Sequence, residues 1–286
     1  MAAKYAYYPG CSLHSTGSEY DVSFRAVCEK LGTDIEEIKG WICCGTSPAH
    51  CTSKLLSLAL PFENLCLAEK MGMTDIVASC AACFARLKTA IYEANEDSEI
   101  ASQISEALEK PLPKSVNVLS PLEIFSDQKG LAEAVTNQLP KLKVVCYYGC
   151  LLTRPSKVMQ FDECEYPMAM DELLRSLGIE TLDWSYKTEC CGGALVMTRT
   201  DVVLKLTHDI LEEAKAVGVN AIAVGCPLCH VNLDTRQVEV EQEYGVQYGL
   251  PVFYFTQLMG LAMDVAGDKL GLQKHFVSVD KLLSGV

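Results

Sequence analysis

Ten of the 15 cysteines follow a pattern that occurs twice along the 286-residue chain. Each copy contains a lone cysteine, an adjacent pair followed by glycine, and a pair separated by two residues. The first cysteine group is Cys11, Cys43, Cys44, Cys80 and Cys83, and the second is Cys150, Cys190, Cys191, Cys226 and Cys229. Thiolates are ligands for zinc and for iron–sulfur clusters, so the repeated pattern predicts a metal site in each copy.

Other uses of cysteine explain the pattern less well. An odd number of cysteines cannot be fully paired, and disulfides are rare in the reducing cytosol. A structural zinc site takes four ligands, not five, and the two C-x-x-C pairs lie too far apart for a zinc ribbon. The tight cysteine run of bacterial ferredoxins is missing, and a thioredoxin-like pair would leave the other thiols unexplained. Five thiols per copy therefore indicate an iron–sulfur cluster larger or more open than an ordinary cubane.

The two cysteine groups are set in the same order of predicted strands and helices. A tyrosine-bearing apolar strand precedes each lone cysteine, at 4–8 and 143–148, and a buried strand runs into each C-x-x-C, at 75–78 and 221–224. Amphipathic helices that stop at glycine are predicted at 19–32, 55–72, 168–178 and 201–218. A strand followed by a helix closes each copy, at 116–119 with 121–125 and at 252–255 with 257–263.

Strands that alternate with helices indicate an α/β protein. We predict two pseudo-symmetric halves, 1–140 and 141–286, each a small, mostly parallel sheet flanked by helices. Ligands bind beyond the carboxyl ends of parallel strands, where the lone cysteine and the C-x-x-C pair of each half are expected. The loop with the adjacent cysteines is expected to close over them.

The duplicated motif resembles the cysteine-rich CCG domain of the B component of heterodisulfide reductase, and the resemblance covers nearly the whole chain. It implies two noncubane 4Fe–4S clusters, one held by each cysteine group. It also implies a catalytic subunit that cleaves a disulfide of the CoM-S-S-CoB type between the two clusters. The partners it implies are two other parts of an electron-bifurcating complex: a ferredoxin-like C component with two 4Fe–4S clusters and a flavin-containing A component.

Two alternatives use the same cofactors. The chain could be an electron-relay subunit of a respiratory-type dehydrogenase, or a heterodisulfide-reductase-like subunit that oxidises sulfur compounds. Relatives that transfer electrons to or from glycolate or lactate support the relay. The absence of a fused ferredoxin module in this sequence weighs modestly against it.

Four charged or titratable residues lie close in sequence to the cysteines. His14 and His230 are predicted to donate protons to product thiolates, although a hydrogen-bonding or surface role is the more common one for such histidines. Arg154 and Arg199 are predicted to bind an anionic part of the substrate, with a solvated ion pair as the alternative.

Composition and charge exclude other classes. The net charge of −13 argues against a nucleic-acid-binding protein and against a polybasic membrane surface. We expect a cytoplasmic protein without membrane insertion, because no signal segment or sufficiently long apolar run is visible. Of the other cysteines, Cys28, Cys66 and Cys146 are expected to pack in the interior.

Overall fold

The computed structural model describes residues 4–46, 48–126, 128 and 130–284. The outer ends of the two predicted halves, residues 1–3 and 285–286, lie outside the described residues. The strands are β1 (Lys4–Tyr8), β2 (Asp34–Glu37), β3 (Asp75–Ala78), β4 (Asn117–Leu119), β5 (Lys143–Tyr147), β6 (Glu180–Thr181), β7 (Ala221–Val224) and β8 (Val252–Tyr254). The helices are α1 (Gly10–Leu13), α2 (Ser18–Leu31), α3 (Pro48–Thr52), α4 (Lys54–Lys70), α5 (Ala81–Glu96), α6 (Ser98–Leu108), α7 (Pro121–Ser126), α8 (Ser156–Met159), α9 (Ala169–Ser176), α10 (Thr200–Val217), α11 (Pro227–Thr235), α12 (Gln237–Tyr244), α13 (Phe255–Ala262) and α14 (Asp280–Leu283).

The strands form two sheets of the same topology. The first has the order β2-β1-β3-β4 and the second β6-β5-β7-β8. Every pairing among the described strands is parallel. The predicted α/β class and the two similar halves are therefore confirmed, whereas the exact division at residue 140 stays a prediction.

The topology determines where a ligand can bind. In each sheet the first strand of the half is flanked by the second on one side and by the third on the other. The chain reverses its winding between the neighbours β1 and β3, and again between β5 and β7. This switch point leaves a crevice at the carboxyl ends of those strands. Helices cover both faces, so the residues of β7 are fully buried and uniformly apolar.

The sequence did not reveal all elements. The acidic stretch Asp34–Glu37 lacks the apolar alternation that indicates a strand, but it forms the edge strand β2 through its pairing with β1. The helices α5 and α11 start directly after the first cysteine of each C-x-x-C pair and were not predicted.

The two halves pack against each other through α2 and α13. The rings of Tyr20 and Tyr254 stack with centroids 4.4 Å apart, and the hydroxyls of Ser23 and Thr256 are hydrogen-bonded at 2.7 Å. The segment after α13 also returns to the first half, where Lys274 Nζ donates to Ser18 Oγ at 2.6 Å. The interface is buried and mostly apolar, so the two crevices are held in a fixed relation.

Candidate metal centre

The strand ends position the cysteines as the sequence predicts. Cys11 lies in α1 just after β1, while Cys80 follows β3 and caps the amino end of α5. In the second half, Cys226 caps α11 in the same way. A helix amino terminus carries partial positive charge, which stabilises thiolates at both positions of the C-x-x-C pair.

Within each group the thiols lie in contact but are not bonded. The Sγ atoms of Cys44 and Cys83 are 3.3 Å apart, and those of Cys191 and Cys229 are 3.5 Å apart. Cys43 Sγ lies 4.0 Å from that of Cys11. A disulfide requires about 2.05 Å between its sulfur atoms, so these are free thiols.

The two groups meet at the boundary between the halves. The thiols of Cys80 and Cys226 are within hydrogen-bonding reach of each other. Each also contacts the second cysteine of its own C-x-x-C pair. The ten cysteines therefore form two groups that adjoin through equivalent members.

Hydrogen bonds between thiols shift their proton affinities. Donation from Cys43, and then from Cys83, lowers the pKa of Cys44 to about 3. Donation from Cys150 lowers the pKa of Cys190 to about 6. The donor Cys43 has a raised pKa, first because of its hydrogen bond to Cys44. A cysteine binds a metal ion as a thiolate, so its thiol must first lose a proton. The thiols with a lowered pKa are therefore prepared to bind metal.

Glycines allow the backbone to approach the sulfur atoms. The N–H groups of Gly45 and Gly192 donate to the thiols of Cys43 and Cys190 at 3.4 and 3.3 Å. Such N–H groups stabilise the negative charge of metal-bound thiolates. At Gly149 a Cβ atom would lie only 2.9 Å from Cys229 Sγ.

One tyrosine in each half holds the loop that carries the adjacent cysteines. Tyr8 donates its hydroxyl hydrogen to the carbonyl of Ile42 at 2.8 Å, and Tyr147 donates to that of Glu189 at 2.6 Å. Both carbonyls belong to the residue before the adjacent cysteines. Burial is the main cause that raises the pKa of both phenols, so they remain protonated donors.

All five thiols of the second cysteine group line one cavity of about 260 Å³. The cavity also contacts Tyr148, apolar side chains such as Leu151 and Leu228, and residues of the first half. Unbonded sulfur atoms around an open space, with backbone donors aimed at them, suit a cluster that needs several thiolate ligands. The chemistry of the donor set therefore fits the predicted iron–sulfur cofactor, and the first group repeats the same contacts.

The two predicted histidines lie in different surroundings. His14 is exposed, with Nε2 3.5 Å from the Glu37 carboxylate and its ring edge-on to Trp41. His230 is buried, stacks on Tyr254 and has Nε2 2.9 Å from the carbonyl of Val252. Burial lowers the pKa of His230 to about 3. Neither lines the cavity, and their role as proton donors stays a prediction.

The two predicted arginines are engaged elsewhere. Arg154 donates to Thr188 Oγ1 at 2.9 Å and pairs with Glu165, which holds two loops together. Arg199 lies on the surface and forms a bidentate pair with Asp201. Neither lines the cavity, so nothing in these contacts places either of them at a substrate site.

Two residues that line the cavity, Arg86 and His50, are not among the site residues that the sequence predicts. Arg86 lies on α5, a helix that the sequence pattern does not predict. His50 lies in α3 after the adjacent cysteines of the first group. Both come from the first half but face the thiols of the second. The predicted packing of Cys28, Cys66 and Cys146 is confirmed, since all three are buried.

A second cluster of metal-ligating types consists of His230, Asp234 and His275, whose ligand atoms lie within 4.8 Å of one another. One ring nitrogen of each histidine and both carboxylate oxygens of Asp234 already form hydrogen bonds. The oxygens of Asp234 accept from the backbone N–H groups of Phe276 and Val277 at 2.8 and 3.1 Å. The cluster therefore fixes the carboxyl-terminal segment on α11.

The chain belongs to the cysteine-rich CCG domain family, whose model matches residues 5–88 and 144–234. The matches contain both cysteine groups, one in each half. The resemblance found in the sequence is thereby confirmed.

Two full-length relatives show the range of the family. The 8-methylmenaquinol:fumarate reductase membrane anchor subunit of Wolinella succinogenes is 30% identical over 286 residues, which cover 99% of this chain and 100% of that protein. The B component of a Ferredoxin/F(420)H(2)-dependent CoB-CoM heterodisulfide reductase of Methanosarcina acetivorans is 29% identical, with 99% and 97% covered. Related chains of similar length thus serve in different complexes.

A solved structure shares the fold. A hypothetical protein from Helicobacter pylori superposes with a TM-score of 0.78 at 13% identity. The match covers 96% of this chain and 52% of the other, so this chain spans about half of that protein. Among the helices described here, none is long and apolar enough to cross a bilayer.

Proposed function

We propose that the chain is the catalytic, disulfide-reducing subunit of a heterodisulfide-reductase-type complex. The observation that carries the proposal is the meeting of the two cysteine groups at Cys80 and Cys226. A disulfide has two sulfur atoms, and its reduction takes two electrons and two protons to give two thiols. Two adjoining metal centres match this stoichiometry, since each can serve one sulfur atom.

The ten cysteines would hold two noncubane 4Fe–4S clusters, five thiolates to each. When bound, each cluster supplies one electron and an iron atom that acts as a Lewis acid toward sulfur. The N–H groups of Gly45 and Gly192 stabilise the negative charge of the ligands. Leu151 and Leu228 form apolar walls beside the second group. His50, which lines the same cavity, is placed to donate a proton to a product thiolate.

The electrons would come from other proteins of the complex. We propose a ferredoxin-like C component and a flavin-containing A component as the partners. The support is the similarity to the B components of heterodisulfide reductases over nearly the full chain.

A second function is electron relay without disulfide chemistry. It is supported by the 30% identity to the fumarate reductase subunit of Wolinella succinogenes. In that case the same thiols would hold clusters that pass electrons to or from a partner.

Anaerobic turnover separates the two functions. Reconstituted protein is mixed with reduced benzyl viologen and either CoB–CoM heterodisulfide or hydroxyethyl disulfide, and thiol release is followed. Reduction predicts two viologens oxidised per disulfide and an electron paramagnetic resonance signal when thiol is added to the oxidised protein. A reconstituted protein that releases no thiol and shows no such signal with either compound would support the relay.

A further inference from the structure

Two polar side chains that line the cavity at the second cysteine group have no partner among the described residues. Among its other polar side chains, Thr46 is held by Cys44 Sγ at 2.9 Å and Tyr148 by Asp171 Oδ2 at 2.8 Å. Arg86 and His50 form no hydrogen bond or ion pair with any residue that the structure describes. Both side chains are thus available to a molecule that enters the cavity.

An unpaired arginine is unusual in so acidic a protein. The chain carries 37 acidic and 24 basic residues, and Arg25, Arg154, Arg175, Arg199 and Arg236 all pair with carboxylates. A guanidinium that is half-buried beside apolar walls gains more from an anion than one on the surface, because solvent screens it less. Its planar donors also match a carboxylate, sulfonate or phosphate group.

The equivalent residue of the other half has a different task. Arg86 is the third residue after Cys83, and Asn232 is the third after Cys229. Asn232 is buried, and its Nδ2 donates to the carbonyl of Cys191 at 2.9 Å, which supports the adjacent cysteines. Arg86 makes no such contact, so the support of its own cysteine group does not explain it.

We propose that Arg86 binds an anionic group of the disulfide substrate at the second cysteine group. This inference rests on the proposed function and deepens it, since it assigns a residue that would select disulfides by their charge. The substrate would lie with one sulfur atom toward the second group and its acidic end against Arg86. The net negative charge of the chain would otherwise repel such a substrate.

The test compares disulfides of similar size and different charge. Dithiodipropionate, hydroxyethyl disulfide and cystamine are reduced by the reconstituted wild type, Arg86→Gln, Arg86→Lys and a control, Lys205→Gln. The control removes one exposed positive charge, whose partner is Asp209 on the surface of α10. Iron content and the reduction potentials of the clusters are measured for every variant, because Arg86 also faces the thiols.

We expect Arg86→Gln to raise KM for dithiodipropionate by roughly tenfold or more. KM for hydroxyethyl disulfide should stay within about twofold, and kcat should change little, since the contact binds the substrate in its ground state. Arg86→Lys should give an intermediate KM, because it keeps the charge but loses the bidentate geometry. An equal rise for the neutral disulfide, or no rise for the anionic one, would overturn the proposal.

A binding measurement distinguishes this inference from the proposed function. Calorimetric titration with dithiodipropionate, without reductant, should show weaker binding to Arg86→Gln than to the wild type by a similar factor. Absence of turnover in the wild type with this binding difference intact would reject the reductase but keep the anion site. Equal binding to both proteins would reject the anion site, whether or not the disulfides are reduced. If Arg86→Gln does not retain iron, the same titration is made with Arg86→Lys and with the wild type at increasing salt concentration. Both changes should weaken the binding of dithiodipropionate, and unchanged binding in both would reject the anion site.

Discussion

The two halves share the parts that hold metal and differ in the parts that surround it. In both, a tyrosine fixes the carbonyl before the adjacent cysteines, and a glycine lies against a sulfur atom of the C-x-x-C pair. Residues farther from the thiols differ between the two halves. Arg86 of the first half lines a cavity and has no partner in the part of the chain that the structure describes, whereas its counterpart Asn232 is buried and hydrogen-bonded. Ligand geometry constrains the inner contacts equally in both halves, while the outer ones serve different tasks.

The two halves also differ in how far their ion pairs are exposed to solvent. In the second half, Lys187 Nζ lies 2.9 Å from Asp171 Oδ1, and both side chains are 0% exposed. In the first half, Arg25 pairs with Asp21 and Glu37, but its side chain is 37% exposed. The second half therefore depends on a desolvated pair, and the first on a solvated one.

The largest expected effect is the loss of one cluster. Cys44→Ser and Cys191→Ser should each lower the iron content to roughly half, because a hydroxyl is a poor ligand for the iron of such clusters. Iron and acid-labile sulfide per chain are measured after anaerobic reconstitution. Cys28→Ser is the control, since burial raises the pKa of Cys28 to about 12 and keeps it a thiol outside both groups. Full iron in either motif variant would contradict the assignment.

The next effect concerns stability. Lys187→Met should lower the free energy of unfolding by about 3–5 kcal/mol, because it leaves the buried Asp171 carboxylate without its positively charged partner. Arg25→Met should cost only about 1 kcal/mol, since solvent screens that pair. Guanidinium unfolding under anaerobic conditions measures both. The double variant Lys187→Met/Asp171→Leu should recover only part of the loss, because it removes the unpaired charge but leaves the buried Tyr148 hydroxyl without its acceptor. Equal losses for the two single variants would remove the contrast.

Two glycines separate backbone strain from crowding at the thiols. Gly149 and Gly218 have φ of 68° and 84°, but only at Gly149 would a Cβ meet a sulfur atom. Gly218→Ala should therefore cost about 1 kcal/mol of stability with full iron content. Gly149→Ala should show the same strain and also lose iron from the second group. The iron content of the two variants is measured after reconstitution. Equal iron content in both would show that the close approach of Gly149 to Cys229 is unimportant for cluster binding.

The smallest effect comes from the two tyrosines. Tyr8→Phe and Tyr147→Phe each remove one hydrogen bond, worth about 1 kcal/mol, from the loop of a single cysteine group. Redox titrations followed by electron paramagnetic resonance should show a shift in only one of the two cluster potentials for each variant. A shift of both potentials by one variant would mean that the halves are coupled more tightly than their separate hydrogen bonds indicate.

Much of the fold could be predicted from the sequence, because the repeat gave each element a second example. The bounds of β1, β3 and β7 agree with the prediction, since their apolar runs end at a proline, a serine and a glycine respectively. The edge strand β2 was missed because its acidic sequence lacks apolar alternation, and only its pairing with β1 makes it a strand. The two-residue strand β6 is too short to carry a pattern.

The candidate site, like the fold, could be predicted only in part. Spacing along the chain was enough to predict which cysteines lie together, since strand ends of a parallel sheet converge. It could not predict the contact between Cys80 and Cys226, which depends on how the halves pack. Arg154 and Arg199 are near cysteines in sequence but do not line the cavity, whereas Arg86 reaches the second group only through the interface between the halves.

The contact between Cys80 and Cys226 also bears on how such a protein could be assembled. These cysteines occupy the same position in each half, so the contact is of the isologous kind, in which a residue meets its own copy across a two-fold axis. Two identical single-domain chains could form the same arrangement as a symmetric homodimer. Joining the copies in one polypeptide preserves that geometry and frees each copy to change alone, which a homodimer cannot do.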